Sequence, residues 1–267
     1  MRFLSKRRRH PAAKPLALVL ALFVMGALYA VLLPTTQSNA DDSTAQSQIA
    51  QGNDLFELNC SSCHGLNGEG TVEAPSLIGV GAASVDFQME TGRMPMARPE
   101  AQAPPKKTLY TAEEIAAIAA YVASLAPGPA IPEEDQYSNT GLTAAELARG
   151  GELFRTNCSA CHNFEGRGGA LPDGRYAPAL TNTSDKHIYE AIRTGPQQMP
   201  VFSSSVLTDE DITQIVGYLN SLHASPNGGF DLGGLGPVGE GLWGWVLGLG
   251  SLMLIAVWLA KKGARAR

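Results

Sequence analysis

The sequence predicts an all-α chain in which two small tandem helical domains are flanked by N- and C-terminal transmembrane helices. Three observations predict this fold class. A pentapeptide of the form Cys-x-x-Cys-His occurs twice, its flanking segments repeat with it, and a long apolar run lies near each end of the 267-residue chain. The repeat indicates two similar domains, and the apolar runs indicate the two spans.

The duplicated pentapeptide contains every cysteine of the chain. Its cysteines and histidines are Cys60, Cys63 and His64, then Cys158, Cys161 and His162. This pattern is the attachment signature of c-type haem, in which two sulfurs bond the porphyrin edge and the histidine binds the iron. The rival interpretations are half a zinc site, a redox dithiol and a structural disulfide. A Cys₄ zinc site leaves both histidines unexplained, and the βαβ pattern of a thioredoxin-like dithiol is absent. We therefore predict two covalent haems c.

The segments around the two motifs repeat as well. Gly, Leu, Phe and Asn precede each motif, with Gly52 matched to Gly151. An Ala-Pro-x-Leu segment follows each motif, at residues 74–77 and 177–180, and a Met-Pro pair follows at residues 94–95 and 199–200. Pro75 and Pro178 are either simple turn residues or the source of a carbonyl that orients the histidine ring, and the sequence leaves both interpretations open.

Each copy closes with a predicted helix. Thr111 and Thr208 are expected to cap these helices, with Glu114 and Asp211 three residues later completing a capping box or a close variant. Apolar residues then recur at helical spacing and predict one buried face on each helix. They are Ile115, Ile118 and Val122 in the first copy and Ile212, Ile215 and Leu219 in the second. So few apolar residues per copy indicate that the haem supplies part of each core.

These patterns divide the chain into four parts. Residues 1–34 form a basic tail and the first span, and residues 35–130 form the first haem domain. Residues 131–226 form the second haem domain, which a stiff proline-rich linker at residues 126–132 joins to the first. Residues 227–267 form a glycine-rich linker, the second span and a basic tail.

A methionine in each copy is the predicted sixth ligand of the iron. The repeated Met-Pro pair selects Met94 in the first copy and Met199 in the second. Met96 is the next candidate in the first copy, followed by Met89. Thioether ligation favours ferrous iron and leaves no open coordination position.

Two histidines offer an alternative sixth ligand in the second copy. His187 or His223 could complete a bis-histidine site there, but the first copy has no counterpart for either. We expect both to be ordinary surface histidines.

The two apolar runs predict how the chain crosses the membrane. Residues 16–33 would span about 27 Å as a helix and residues 241–260 about 30 Å, close to the thickness of the hydrocarbon core. The second run has tryptophans at both ends, at 243, 245 and 258. Basic residues outside both runs place both termini in the cytoplasm and residues 35–240 outside the cell membrane. A cleaved signal peptide ending at residues 38–40 is the alternative for the first run.

The body between the runs is acidic. The overall charge is −5, but residues 41–240 hold all 25 acidic and only ten of the 20 basic residues, which gives them a charge of −15. This charge argues against nucleic acid as a partner and favours a positively charged or ion-buffered protein surface.

Together these features resemble the class I cytochrome c fold, present twice. The whole chain resembles the dihaem cytochrome c subunit of the actinobacterial menaquinol–cytochrome c reductase, the cytochrome bcc complex. The order of the parts, residues 91–95 (Thr-Gly-Arg-Met-Pro), residues 100–104 and the tryptophan-rich C-terminal span carry this resemblance. It implies that a Rieske iron–sulfur subunit reduces one haem, and that electrons cross to the other haem and pass directly to a cytochrome c oxidase in a supercomplex. It also implies a cytochrome b subunit as a partner.

Two other classes of protein share some of these features. A dihaem peroxidase needs one iron without a strong sixth ligand, and the paired Met-Pro segments count against it. A membrane-tethered dihaem carrier for another dehydrogenase or reductase needs the same haems, but two membrane anchors favour a fixed subunit. We expect no catalytic residue in this chain, because no quinol pocket is evident in its sequence.

Overall fold

The computed structural model describes residues 13–32, 38–224 and 237–265. The chain divides into two compact units, Met1–Ser47 and Gln48–Arg267. Twelve α-helices occur in the described ranges, in agreement with the predicted helical class. They are α1 (Ala13–Leu32), α2 (Ser38–Asn59), α3 (Ser61–His64), α4 (Gly81–Glu90), α5 (Ala112–Leu125), α6 (Glu134–Tyr137), α7 (Ala144–Asn157), α8 (Ser159–His162), α9 (Asp185–Thr194), α10 (Asp209–Ala224), α11 (Pro237–Trp243) and α12 (Gly250–Arg265).

The second unit contains one helical arrangement twice. The first half consists of the part of α2 after Ser47 together with α3 to α5, and the second half consists of α7 to α10, with the haem motif directly after the first helix of each half. The second half adds a 3₁₀ turn at Pro172–Gly174 between two short antiparallel strands, β1 (Gly169–Ala170) and β2 (Tyr176–Ala177). A π-helical turn, Gly244–Leu249, joins α11 to α12.

The predicted capping boxes are present at both closing helices. The Thr111 hydroxyl accepts the backbone N–H of Glu114, and the Glu114 carboxylate accepts the backbone N–H of Thr111. Thr208 and Asp211 make the same two bonds, both 3.1 Å long, at the start of α10. Each pair satisfies two backbone donors that a helix start leaves unpaired, so these residues fix where α5 and α10 begin.

The first and last helices of each half cross at a glycine. A Cβ atom on Gly52 would lie 1.9 Å from the carbonyl oxygen of Ala117, and one on Gly150 would lie 2.0 Å from that of Gln214. The sequence repeat had matched Gly52 to Gly151, and this match is wrong. Gly150, eight residues before Cys158 as Gly52 is before Cys60, occupies the equivalent position. Both crossings need a residue without a side chain because the helix backbones touch.

Each half has its own apolar core, and the predicted buried faces of α5 and α10 form its centre. Equivalent residues of the haem-motif regions border the two cores: Cys60, Leu77 and Met94 in the first half, and Cys158, Leu180 and Met199 in the second. The first core contains Phe56, Val85, Met89, Ile115, Ile118, Ala119, Tyr121 and Val122. The second contains Phe154, Ile188, Tyr189, Ile192, Leu207, Ile212, Ile215, Val216 and Leu219.

The terminal helices expose their apolar side chains. Within the described ranges one helix, Gly241–Gly263, is long and apolar enough to cross a membrane, and none of its apolar stretch is buried. The apolar part of α1, Lys14–Tyr29, is shorter, although Leu16 and Phe23 on it are also exposed. The end of the predicted first span, most of the basic N-terminal tail and most of the glycine-rich linker lie outside the described residues.

Candidate haem sites and the contact between the two halves

The histidine of each motif is oriented by a backbone carbonyl. The Nδ1 atom of His64 lies 2.8 Å from the carbonyl oxygen of Pro75, and that of His162 lies 3.0 Å from the carbonyl oxygen of Pro178. A carbonyl only accepts hydrogen bonds, so Nδ1 carries the proton and Nε2 keeps a free lone pair in both rings. The sequence left the role of these prolines open, and the contacts establish the orienting role.

A glycine turn brings each carbonyl to its histidine. Gly70 and Gly168 both lie six residues after the motif histidine, both have positive φ (86° and 82°), and each donates its N–H to the carbonyl of that histidine. A Cβ atom on either would lie 2.5 Å from the backbone of the returning loop. These two positions therefore require glycine, and the orienting bond depends on them.

The four cysteines form no disulfide and lie in settings that suit thioether bonds better than thiolate chemistry. Burial, reinforced by Cys63, raises the pKa of Cys60 to about 11, and burial, reinforced by Cys161, raises the pKa of Cys158 to about 11. Redox dithiols and zinc ligands need the thiolate, which a lowered pKa supplies. Burial also lowers the pKa of His162, although its bond to Pro178 opposes this change, so the ring stays neutral and able to bind a metal.

The second motif opens on a cavity that fits a haem. Cys158, Cys161 and His162 line it on one side, and Met199 lines it as well. The remaining wall is mostly apolar, which is the setting of a porphyrin. Apolar wall residues include Phe154, Leu171, Leu180, Ile188, Ile192 and Leu219.

The methionines of the first half differ in their surroundings. Met89 is a core residue of α4, only 4% exposed, and the equivalent position of α9, three residues before the positive-φ glycine, holds the buried core residue Ile192. Met94 borders the first core, as Cys60 does, and Met199 borders the second core, as Cys158 does. Met96 has no place in either cluster. The structural repeat therefore pairs Met94 with Met199.

Comparisons with known proteins agree with two haem domains. The family model described as "Cytochrome c" matches residues 49–126, and that described as "Cytochrome C oxidase, cbb3-type, subunit III" matches residues 145–219. The "Cytochrome bc1 complex cytochrome c subunit" of Corynebacterium efficiens is 42% identical over 96% of this chain and 91% of its own length. The protein of the same name from Mycobacterium bovis is 42% identical over 96% of this chain and 93% of its own length.

The chain belongs to the family of cytochrome bc1 complex cytochrome c subunits. It is a c-type cytochrome with two covalently bound haems and serves as an electron carrier of the respiratory chain. The relative named "Cytochrome c6" from Gracilaria tenuistipitata matches only 34% of this chain, at 35% identity. The relatives that match nearly the whole chain therefore define the family, and this shorter match covers only one part of it.

The two halves of this cytochrome subunit are joined by an ionic cluster between α4 and α9. The ammonium group of Lys186 lies 2.7 Å from Asp86 and 2.9 Å from Glu90. Nε2 of His187 lies 2.8 Å from the same Glu90 carboxylate. Burial of Lys186 lowers its pKa, but the bonds and charges of the two carboxylates outweigh burial and raise it. Lys186 therefore stays ionised at neutral pH.

A buried carboxyl group completes this cluster. Glu190 is fully buried, and neither of its oxygens accepts a hydrogen bond from a donor. Burial, reinforced by Asp86, raises the pKa of Glu190 to about 9, so the group is protonated at neutral pH. The side-chain atoms of Asp86, His187 and Glu190 that could coordinate a metal ion lie within 4.8 Å of one another. Carboxylate and imidazole groups this close together could bind a metal ion, but the Lys186 ammonium already supplies a positive charge to the carboxylates of this cluster.

The expectation that His187 is an ordinary surface histidine is wrong. Its side chain is only 15% exposed, contacts Glu90, and meets the edge of the Phe87 ring 5.9 Å away. The burial of His187 between the halves could not be predicted from the sequence, because its partners Glu90 and Phe87 lie about a hundred residues away along the chain. His223 lies in the last turn of α10 with its Nε2 buried, so it is not a freely exposed residue either.

A loop of the first half also covers the second haem cavity. The side chain of Gln102 donates to the carbonyl of Tyr176 at 2.6 Å and accepts its N–H at 3.1 Å. The side chain of Gln197 makes the same pair of bonds, both 3.1 Å, with the backbone of Ala103. Sequence reasoning missed all four residues, because two glutamines that pair with distant backbone leave no local pattern.

Proposed function

We propose that this subunit carries electrons from a Rieske iron–sulfur subunit, through its two haems, to a cytochrome c oxidase. The parent assembly is a menaquinol–cytochrome c oxidoreductase, a translocase that also contains a cytochrome b subunit. The ionic cluster and the glutamine bonds support this role, because they hold two haem-binding halves in a fixed relation. A fixed pair of haems suits transfer between two bound partners.

The iron ligands we propose are His64 and Met94 in the first half and His162 and Met199 in the second. When bound, each haem supplies one-electron exchange between ferric and ferrous iron. Cys60 and Cys63, and likewise Cys158 and Cys161, hold its edge by thioether bonds. The Pro carbonyls direct each imidazole Nε2 toward the iron. In the second half, His187 is a poor rival to Met199, because Glu90 engages its Nε2.

The proposed arrangement in the membrane has two spans. Residues 241–260 form the C-terminal span, and residues 16–33 form the N-terminal one. Lys261 and Lys262 at the end of the C-terminal span place that end in the cytoplasm, and the basic N-terminal tail does the same for the other. The haem domains, residues 35–130 and 131–226, then lie outside the cell membrane.

Affinity purification from gently solubilised membranes tests the proposed function. A C-terminally tagged chain should bring down cytochrome b, a Rieske protein and oxidase subunits, and the eluate should oxidise a menaquinol. An untagged strain processed in parallel is the control. If the tagged chain emerges alone and is reduced by a soluble dehydrogenase, it is a tethered carrier. If it turns over peroxide unaided, it is a peroxidase.

A further inference from the structure

One basic residue of the first half lines the cavity of the second haem without an acidic partner. Arg93 shares that cavity with Cys158, His162 and Met199. It is half-buried, and no carboxylate in the described ranges forms an ion pair with it. Burial lowers the pKa of Arg93, as expected for a guanidinium whose charge is not neutralised nearby.

Contacts within the first half fix the position of Arg93, and its loop is also bonded to the second half. Its guanidinium carbon lies 4.8 Å from the centre of the buried Phe87 ring on α4. The preceding Gly92 has φ of +67°, and a Cβ atom there would lie 1.8 Å from the carbonyl oxygen of Lys106. The same loop is attached to the second half through Gln102 and Ala103. The charged group therefore lies in the cavity as part of the fold.

We propose that Arg93 binds a propionate of the second haem, so that the first half supplies a positioning residue to the haem site of the second half. The two propionates are the ionised groups of a haem. A guanidinium binds a carboxylate through two parallel N–H···O bonds, which a half-buried setting strengthens. The inference rests on the proposed function, because it takes the cavity of His162 and Met199 as a haem site.

This contact couples the two haem sites through one dipeptide. Arg93 precedes Met94, the proposed iron ligand of the first haem. A positive charge beside a haem disfavours the ferric state, so Arg93 raises the potential of the second haem. The potential of the second haem then depends on the first half of the chain.

Spectroelectrochemical titration of the detergent-purified full chain tests this contact. The variants are Arg93→Gln, which removes the charge, and Arg93→Lys, which keeps the charge but cannot form two parallel N–H···O bonds to one carboxylate. The control is Arg98→Gln, because Arg98 lies nearby, is 80% exposed and pairs with Glu100. The Met199→Ala variant identifies which redox step belongs to the second haem. A haem assay on each variant verifies two haems per chain.

Arg93→Gln should lower the ferrous-to-ferric ratio of the second haem about tenfold at a fixed potential, which is 59 mV for a one-electron couple. It should also make the potential of that haem more dependent on pH, because the propionate then titrates nearer neutrality. Arg93→Lys should give a smaller shift and Arg98→Gln none. If Arg93→Gln does not retain both haems, the potential of the second haem is compared in Arg93→Lys instead. An unchanged potential of the second haem in the variant used for this comparison, or a change confined to the first haem, would overturn the inference. Fewer than two haems in the unmutated chain would instead overturn the proposed function.

Discussion

Replacing Glu190 with glutamine should change how the stability of the two-haem unit depends on pH. Glutamine imitates the protonated carboxyl group but does not titrate. In the folded protein the pKa of Glu190 is raised from 4.5 to about 9, chiefly by burial and then by Asp86. The native state therefore holds a proton that the unfolded chain releases above pH 4.5. The stability that this proton confers is complete below about pH 4.5 and is lost as the pH rises toward 9.

The size of the effect follows from proton linkage. Between pH 5 and pH 7 the unmutated protein should lose about 2.7 kcal/mol relative to Glu190→Gln, at about 1.36 kcal/mol per pH unit. For a cooperative unit of about 190 residues this corresponds to about 5–11 °C in the melting midpoint. The other ionisable groups of the cluster, Asp86, Glu90, Lys186 and His187, are common to both proteins, so the difference isolates Glu190.

Thermal melts of the haem-loaded full chain in detergent, followed by circular dichroism from pH 5 to pH 8, measure this difference. Glu152→Gln is the matched control, because Glu152 is an exposed carboxylate on α7. The control should track the unmutated protein at every pH. Parallel melting curves for Glu190→Gln and the unmutated chain would show that Glu190 is ionised in the folded protein, and the assigned role in the cluster would be wrong.

Three further predictions address the haem site, the packing and the membrane arrangement. Met199→Ala should lower the potential of one haem and open that haem to carbon monoxide, and a redox titration with unchanged potentials would exclude Met199 as a ligand. Gly150→Ala should lower the free energy of unfolding, measured by urea titration, by about 1–2 kcal/mol. Overpacking against Gln214 costs about 2–3 kcal/mol, whereas the higher helix propensity of alanine returns about 1 kcal/mol. An equal or raised urea midpoint would contradict the helix crossing. Protease added to intact spheroplasts should cut within residues 35–240 and leave tagged termini intact, whereas a mature N-terminus at Asp41 would show that the first segment is a cleaved signal.

Local patterns predicted most of each half. The haem motifs, the capping boxes at Thr111 and Thr208 and the buried faces of the closing helices depend on residues a few positions apart, and the structure has them where the sequence indicated. The match of Gly52 to Gly151 was wrong by one residue because Gly150 and Gly151 are adjacent, and both the eight-residue spacing to Cys158 and the contact with Gln214 select Gly150.

The contact between the halves could not be predicted in this way. Lys186 and Asp86 are charged residues on separate helices, and nothing near either in the sequence indicates that they meet. Glu190 looks like any helical glutamate until its complete burial is seen. His187 was misread for the same reason. Pairing across about a hundred residues follows from how two folded halves dock, and single-sequence periodicity carries no information about docking.

Stopped-flow reduction of the purified assembly is the most direct test of the chain as an electron bridge. Menaquinol is mixed with the complex of this subunit and the oxidase, and the haem c bands and the oxidase copper band are followed together. The account predicts that both haems c are reduced before the oxidase copper, and that Met199→Ala, which impairs one of the two haems, slows copper reduction. Copper reduction that precedes both haems, or that proceeds at the unmutated rate in the variant, would contradict it.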